Sequence, residues 1–279
     1  MQKFNLYDLT RDEIETLFAR ADEIQNGAPA RIENKPIALA LSYMPAPLPI
    51  DIASVLRDAG AQPVTISSAQ KPGDVAQNIR GANAALAIVS HAQDEAVSEI
   101  AAACDTPVIN AGDGITENPL RALMDAYAIF TLKGTLQNLR IGLLGNLKFA
   151  AEAHSLARVL GMFECRLSFI SPAALSMPYD LTDEVRLVAY EIEETNDLAT
   201  TVRKTDALYL CNIDAARVEK KIYDKQKNFY ALTPETFAKA KEGLVILGNW
   251  DGAENLLAPA RDTVAHAARA MLLTLCDSQ

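Results

Sequence analysis

The amino-acid sequence predicts an α/β protein of two doubly wound parallel-sheet domains with a cleft between them, and three observations carry that prediction. Short apolar runs alternate with amphipathic helical stretches along almost the whole chain. The runs lack the in-and-out alternation of a one-sided sheet, so their strands are covered on both faces, as parallel strands are. The series also restarts after a long helical segment ending near Gly134, which divides the 279 residues into two domains of ordinary size.

Each element has its own signal. In LTRDEIETLFARADEI (residues 9–24), Thr10 is an N-cap with Glu13 three residues on, and Ile14, Leu17, Phe18 and Ala21 share one helical face. After the breaker NGAPA come apolar runs at residues 36–43, 61–67, 84–90 and 106–110, separated by helical patterns at 50–60, 73–82 and 94–104. The helix NPLRALMDAYAIFTLKG (118–134) ends this series. A second follows with strands at 139–146, 165–171, 187–192, 206–212 and 244–249, and the closing helix RDTVAHAARAMLLTLC (261–276) is placed to pack back on the first half. The expected domains are therefore 1–134, joined by the C-terminal helix 260–279, and 135–259. Ligands of such folds bind beyond the carboxyl ends of the strands, which here means the loops after Ser42, Ser67, Ser90, Asn110, Asn146, Asn212 and Asn249.

Composition narrows the function classes. Lys and Arg number 26 against 36 Asp and Glu, a net charge of −10, and no basic patch offsets it, so neither nucleic acid nor an anionic membrane is an expected partner. No apolar run approaches the ~18–20 residues of a membrane span, and MQKFNLYDLTRDE lacks a secretory core, so a cytoplasmic protein is expected. Cys104, Cys165, Cys211 and Cys276 are scattered, with no CxxC and no Cys/His cluster; buried free thiols and no metal site are expected. GNLKFAAEAHSLARVLG is not a G-x-G-x-x-G fingerprint and no Walker pattern occurs, so no cofactor is expected.

Several of these segments, taken together and in order, are similar to one family. YDLTRDEI, VINAGDG with NP and ALMDAY, GNLKFAAEAHSLARVLG, FISPAALSMP and ALTPETF resemble the aspartate and ornithine carbamoyltransferases, the aspartate branch in particular. That resemblance implies an N-terminal carbamoyl phosphate domain, a C-terminal amino-acid domain, and a catalytic trimer with sites between subunits. Both substrates of the family are anions, so a working site needs arginines, lysines and hydrogen-bond donors.

The resemblance also shows where this chain departs from the pattern. The family's phosphate loop, Ser-Thr-Arg-Thr-Arg, falls on Pro45, Ala46, Pro47, Leu48 and Pro49, and three prolines remove three N–H donors. The arginine of the family's Arg-His-Pro becomes Ser90, followed by His91. His-Pro-Thr-Gln becomes Asn118, Pro119, Leu120 and Arg121. In the second domain Lys148 is kept, but Ala151 stands where the family has a carboxylate-binding arginine. Thr-Arg-Val-Gln becomes Cys211, Asn212, Ile213 and Asp214, and His-Pro-Leu-Pro becomes Gly248, Asn249, Trp250 and Asp251. Lys71 is the one remnant of the loop that the family lends to a neighbouring subunit.

Two expectations follow. The first is a protein that keeps the fold, has lost carbamoyl transfer, and serves as a structural or regulatory subunit of a homotrimer or of a hetero-oligomer with an active paralogue. The second is an enzyme with changed chemistry on a non-phosphorylated amine or amino-acid-like ligand, because Asp214 and Asp251 bring negative charge to the expected cleft. Arg121 is open between anchoring an anion and pairing with Glu117 or Asp125. Trp250 is expected to fill the emptied pocket or to stack on a different ligand, His154 to be a packed core histidine, and His266 to have no catalytic part.

Overall fold

The computed structural model of the chain describes residues 3–4, 6, 9–44, 47–67, 71–213 and 218–278. Pro45, Ala46 and Asp214, named above as site positions, lie outside the described residues. The chain forms two compact units, Met1–Ala128 with Val264–Gln279, and Ile129–Thr263. The division falls within the helix Pro119–Lys133, shortly before Gly134.

Unit 1 is built on a five-stranded, wholly parallel sheet of β1 (Lys3–Phe4), β2 (Pro36–Leu41), β3 (Gln62–Thr65), β4 (Leu86–His91) and β5 (Val108–Asp113), in the order β1-β5-β4-β2-β3. β4 and β5 are buried along their whole length, which is why they read as unbroken apolar runs. Around them run α1 (Arg11–Gln25), α2 (Ile52–Asp58), α3 (Pro72–Gly81), α4 (Ala96–Ala103), α5 (Pro119–Lys133) and, after unit 2, α12 (Arg261–Asp277). The capping box of α1 is present: the Glu13 amide donates to Thr10 Oγ1 at 3.3 Å, and the Thr10 amide donates to Glu13 Oε2 at 2.8 Å. The predicted apolar face of α1 meets α5 through the Phe18 and Tyr127 rings, 5.3 Å apart, and the Tyr127 hydroxyl donates to Asp22 at 2.6 Å.

Unit 2 repeats the plan. Its parallel sheet comprises β6 (Arg140–Gly145), β7 (Arg166–Ile170), β8 (Glu191–Thr195), β9 (Ala207–Cys211) and β10 (Val245–Asn249), in the order β10-β9-β6-β7-β8. Its helices are α6 (Ala151–Met162), α7 (Tyr179–Arg186), α8 (Leu198–Thr201), α9 (Lys220–Gln226), α10 (Pro234–Phe237) and α11 (Glu254–Leu257).

One predicted strand is misplaced. Only the last two residues of the run at 187–192 enter β8; residues 187–190 are a largely exposed turn, and the strand EIEET is mostly polar. β8 lies at the sheet edge, where backbone pairing with β7, from Arg166↔Glu191 to Ile170↔Thr195, sets the strand without needing an apolar face. All four cysteines are free and buried, as their scatter predicts. Among the described residues no helix is long and apolar enough to cross a membrane, and no group of three or more His, Cys, Asp or Glu could hold a metal.

Candidate functional site

In unit 1 the carboxyl ends of β2, β4 and β5 converge. The Tyr43 amide, just past β2, donates to Ser90 Oγ at 3.2 Å. A Cβ placed on Gly112 would lie within 3.7 Å of Asn118 Nδ2, Ser90 Cβ and the Tyr43 carbonyl oxygen, so these groups meet with little room between them. The NAGDG stretch folds tightly on itself. Asn110 Oδ1 accepts from the Gly112 amide and Asn110 Nδ2 donates to Glu117 Oε1, both at 2.9 Å. Gly114, at φ +57°, passes so close to Asp94 that a Cβ would fall 1.8 Å from Asp94 Oδ1. The Asp94 carboxylate in turn accepts from the Ile115 amide at 2.8 Å.

The predicted residues of this region mostly bond to the chain itself. Asn118 caps α5, its Oδ1 accepting from the Arg121 amide at 3.0 Å. His91 is buried, and its Nδ1 accepts from the Gln93 amide at 3.0 Å, which puts the ring proton of the neutral form on Nε2. Arg121 is 3% exposed. Its Nε donates to Asp125 Oδ2 at 2.6 Å and its Nη1 to the carbonyl oxygen of Pro47, also at 2.6 Å. Of the two acids that could pair with it through helical spacing, Asp125 is the one that does so through Nε. The second contact joins α5 to the proline loop and could not be foreseen. Leu48 and Pro49 continue that loop and are half-buried, and Lys71 is exposed at the start of α3.

In unit 2 the carboxyl ends of β6, β9 and β10 meet in the same manner. Gly145, at φ +116°, lies against both neighbouring segments: a Cβ there would be 2.2 Å from the Cys211 carbonyl oxygen and 2.7 Å from Trp250 Cζ3. The Trp250 side chain thus packs over the glycine, and it joins two apolar clusters, one with Leu144, Leu210 and Tyr230, the other with Phe149, Leu175 and Ile213. Asn212 and Asp251 clasp each other, Asn212 Nδ2 donating to Asp251 Oδ2 at 3.0 Å and the Asp251 amide donating to Asn212 Oδ1 at 3.4 Å. His154 is buried and donates Nε2–H to the Leu147 carbonyl at 2.8 Å, a packed histidine as predicted. Lys148 is exposed, its Nζ 5.3 Å from the Phe149 ring centroid. Ala150 and Ala151, both buried, open α6 without a side-chain cap.

Sequence reasoning missed Asp94, and it named Asn110 only as a loop border and Glu117 only as a partner for Arg121, not as groups that shape the turn between β5 and α5. The signal for them is the glycine pair in NAGDG, because two positive-φ positions so close together need side chains to take up the amides they turn inward.

No family model matches the chain. It is 30% identical over 253 residues to the aspartate carbamoyltransferase catalytic subunit of Methanopyrus kandleri, an alignment covering 86% of this chain and 82% of that one. The catalytic subunit of Thermococcus onnurineus is 37% identical over 161 residues, 57% of this chain and 52% of its own length. Among solved structures, aspartate transcarbamoylase from Trypanosoma cruzi, crystallised with carbamoyl aspartate and phosphate, superposes with a TM-score of 0.83 over 97% of this chain and 94% of that one, at 19% identity. The two parallel-sheet units thus have the fold of that transcarbamoylase, and the chain belongs to the aspartate carbamoyltransferase catalytic subunit family.

Proposed function

We propose that this chain has lost carbamoyl transfer and serves as a structural or regulatory subunit, in a homotrimer or beside an active relative. The observation that carries the reading is the use of the strand-end groups by the chain itself. Arg121 is bound to Asp125 and the Pro47 carbonyl, and Trp250 lies over Gly145. The relative from Trypanosoma cruzi has been crystallised with carbamoyl phosphate and aspartate, both anions. Holding two such ligands takes several cations, and each lost charge-assisted contact costs about 1.5–3 kcal/mol. Pro47 and Pro49 have no amide hydrogen to offer an anion, and Ala151 offers no charge.

Two measurements test this. Purified protein given carbamoyl phosphate and aspartate should form no carbamoyl aspartate above background, and calorimetric titration with carbamoyl phosphate should show no saturable heat. Clear saturable turnover would sink the proposal. Light scattering should return the mass of a trimer, and a monomer that also forms no complex with an active relative would remove the subunit role.

A further inference from the structure

Away from the strand ends, unit 1 carries a groove of about 570 Å³ between the C-terminal ends of α1 and α2, the loop 26–33 and one face of α12. That volume lies within the ~300–1,000 Å³ typical of small-ligand sites. Its floor is apolar, from Ile24, Ala270 and Leu273, and small residues such as Ala28 and Ala59 leave the space open. The loop forming one wall is pinned at both ends. Arg20 Nη2 donates to the Pro29 carbonyl at 2.9 Å, and the Arg31 amide donates to Asp277 Oδ1 at 2.6 Å. At the other end the Asn34 amide donates to the Gly60 carbonyl at 2.8 Å. A ligand would therefore enter a preformed site rather than order one.

The rim holds Glu33 and Asp58 together with Arg269 and His266, two acids against one arginine. Glu33 lies over Gly60, its Cγ 3.2 Å from where a Cβ on that glycine would stand, and no described residue pairs with its carboxylate. Asp58 meets Arg269 only at 3.5 Å, with side chains 61% and 40% exposed, a loose pair that an incoming cation can displace. The end of α1 adds the negative pole of a helix dipole with no basic residue in its last turn. We infer that this groove binds a small organic cation, an alkylammonium or guanidinium whose apolar tail lies on Ala270 and Leu273 while its head is held between Glu33 and Asp58. Against a carboxylate or phosphate of the same size, the two acids outnumber Arg269, the one arginine of the lining. Such a ligand touches α1, α2 and α12 together and stabilises unit 1 by mass action.

Three probes of one chain length separate the contributions: hexylamine, hexanol and hexanoate, titrated into the full chain by calorimetry. Hexylamine should bind saturably and raise the melting temperature, while hexanoate should do neither. In the Glu33→Gln/Asp58→Asn double variant, hexylamine affinity should fall by about tenfold or more. Both side chains are exposed, so circular dichroism should show the variant folded, and the single Glu33→Gln variant serves if it is not. Absence of saturable hexylamine binding, equal binding of hexanol or hexanoate, or unchanged affinity in the folded variant would each overturn the inference.

Discussion

A guanidinium as deeply buried as that of Arg121 has to be neutralised where it stands, because an isolated buried charge is too costly to keep. Asp125 does this, and the Pro47 carbonyl takes a second N–H. Replacing Arg121 by Ala leaves Asp125 buried without its cation and frees the loop carbonyl, so the variant should lose about 3–5 kcal/mol in urea unfolding. Replacing both, as Arg121→Met with Asp125→Leu, should recover most of that loss, because the pair is then exchanged for apolar volume. Half of this arrangement is legible in the sequence: four residues on a helix place Arg121 beside Asp125. The other half is not, since Pro47 is 74 residues away and only the fold brings it near.

At the scale of elements, the starts of β6, β9 and β10 are tied together by Asp206. Its Oδ2 accepts from the Arg140 amide at 2.9 Å, its Oδ1 from Lys241, and its carbonyl oxygen from the Val245 amide at 3.1 Å. Burial pushes the Asp206 carboxyl pKa up, but the Lys241 and Arg140 bonds pull it down further, and it ends below its ordinary value. A carboxyl lowered on folding contributes its full stability above the ordinary carboxylate range and loses it as pH falls through the folded value. Asp206→Asn should therefore cost about 1–3 kcal/mol near neutrality, with the difference from the parent protein shrinking below about pH 4 in a pH series of unfolding curves. Strands were the readable elements because buried parallel strands are apolar throughout, as β4 and β5 are. β8 was not, because its register comes from β7, whereas the apolar residues before it have other tasks. Val188 packs on Gly161 of α6, and the Tyr190 ring receives the Arg166 guanidinium at 4.0 Å from its centroid. The site divided in the same way: helical spacing offered Asp125 to Arg121, but the Pro47 contact and the clasp of Asn212 with Asp251 depend on contacts across the fold.

On the scale of the whole chain, unit 1 depends on a segment that arrives only after unit 2 has been completed. α12 belongs to it, with Met271, Leu272 and Leu275 fully buried and Asp277 bonded to Arg20 at 2.9 Å. Each such side chain contributes about 1.5–3 kcal/mol, so losing several is comparable with the 5–15 kcal/mol that holds a typical domain folded. A chain ending at Thr263 should thus have a protease-sensitive unit 1, while the emission of the single tryptophan, Trp250, stays that of the native unit 2; limited proteolysis and fluorescence together read both.

The polar edge strand β8 has a consequence for crowding. An exposed strand edge is a template on which a second molecule can add a strand, and repetition of that step makes fibres. Here the open edge carries Glu191, Glu193 and Glu194, paired with Arg166, Lys204 and Arg186, so a strand adding there has to crowd against charged, solvated side chains. That cost leaves the protein free to assemble through other faces without polymerising through this one.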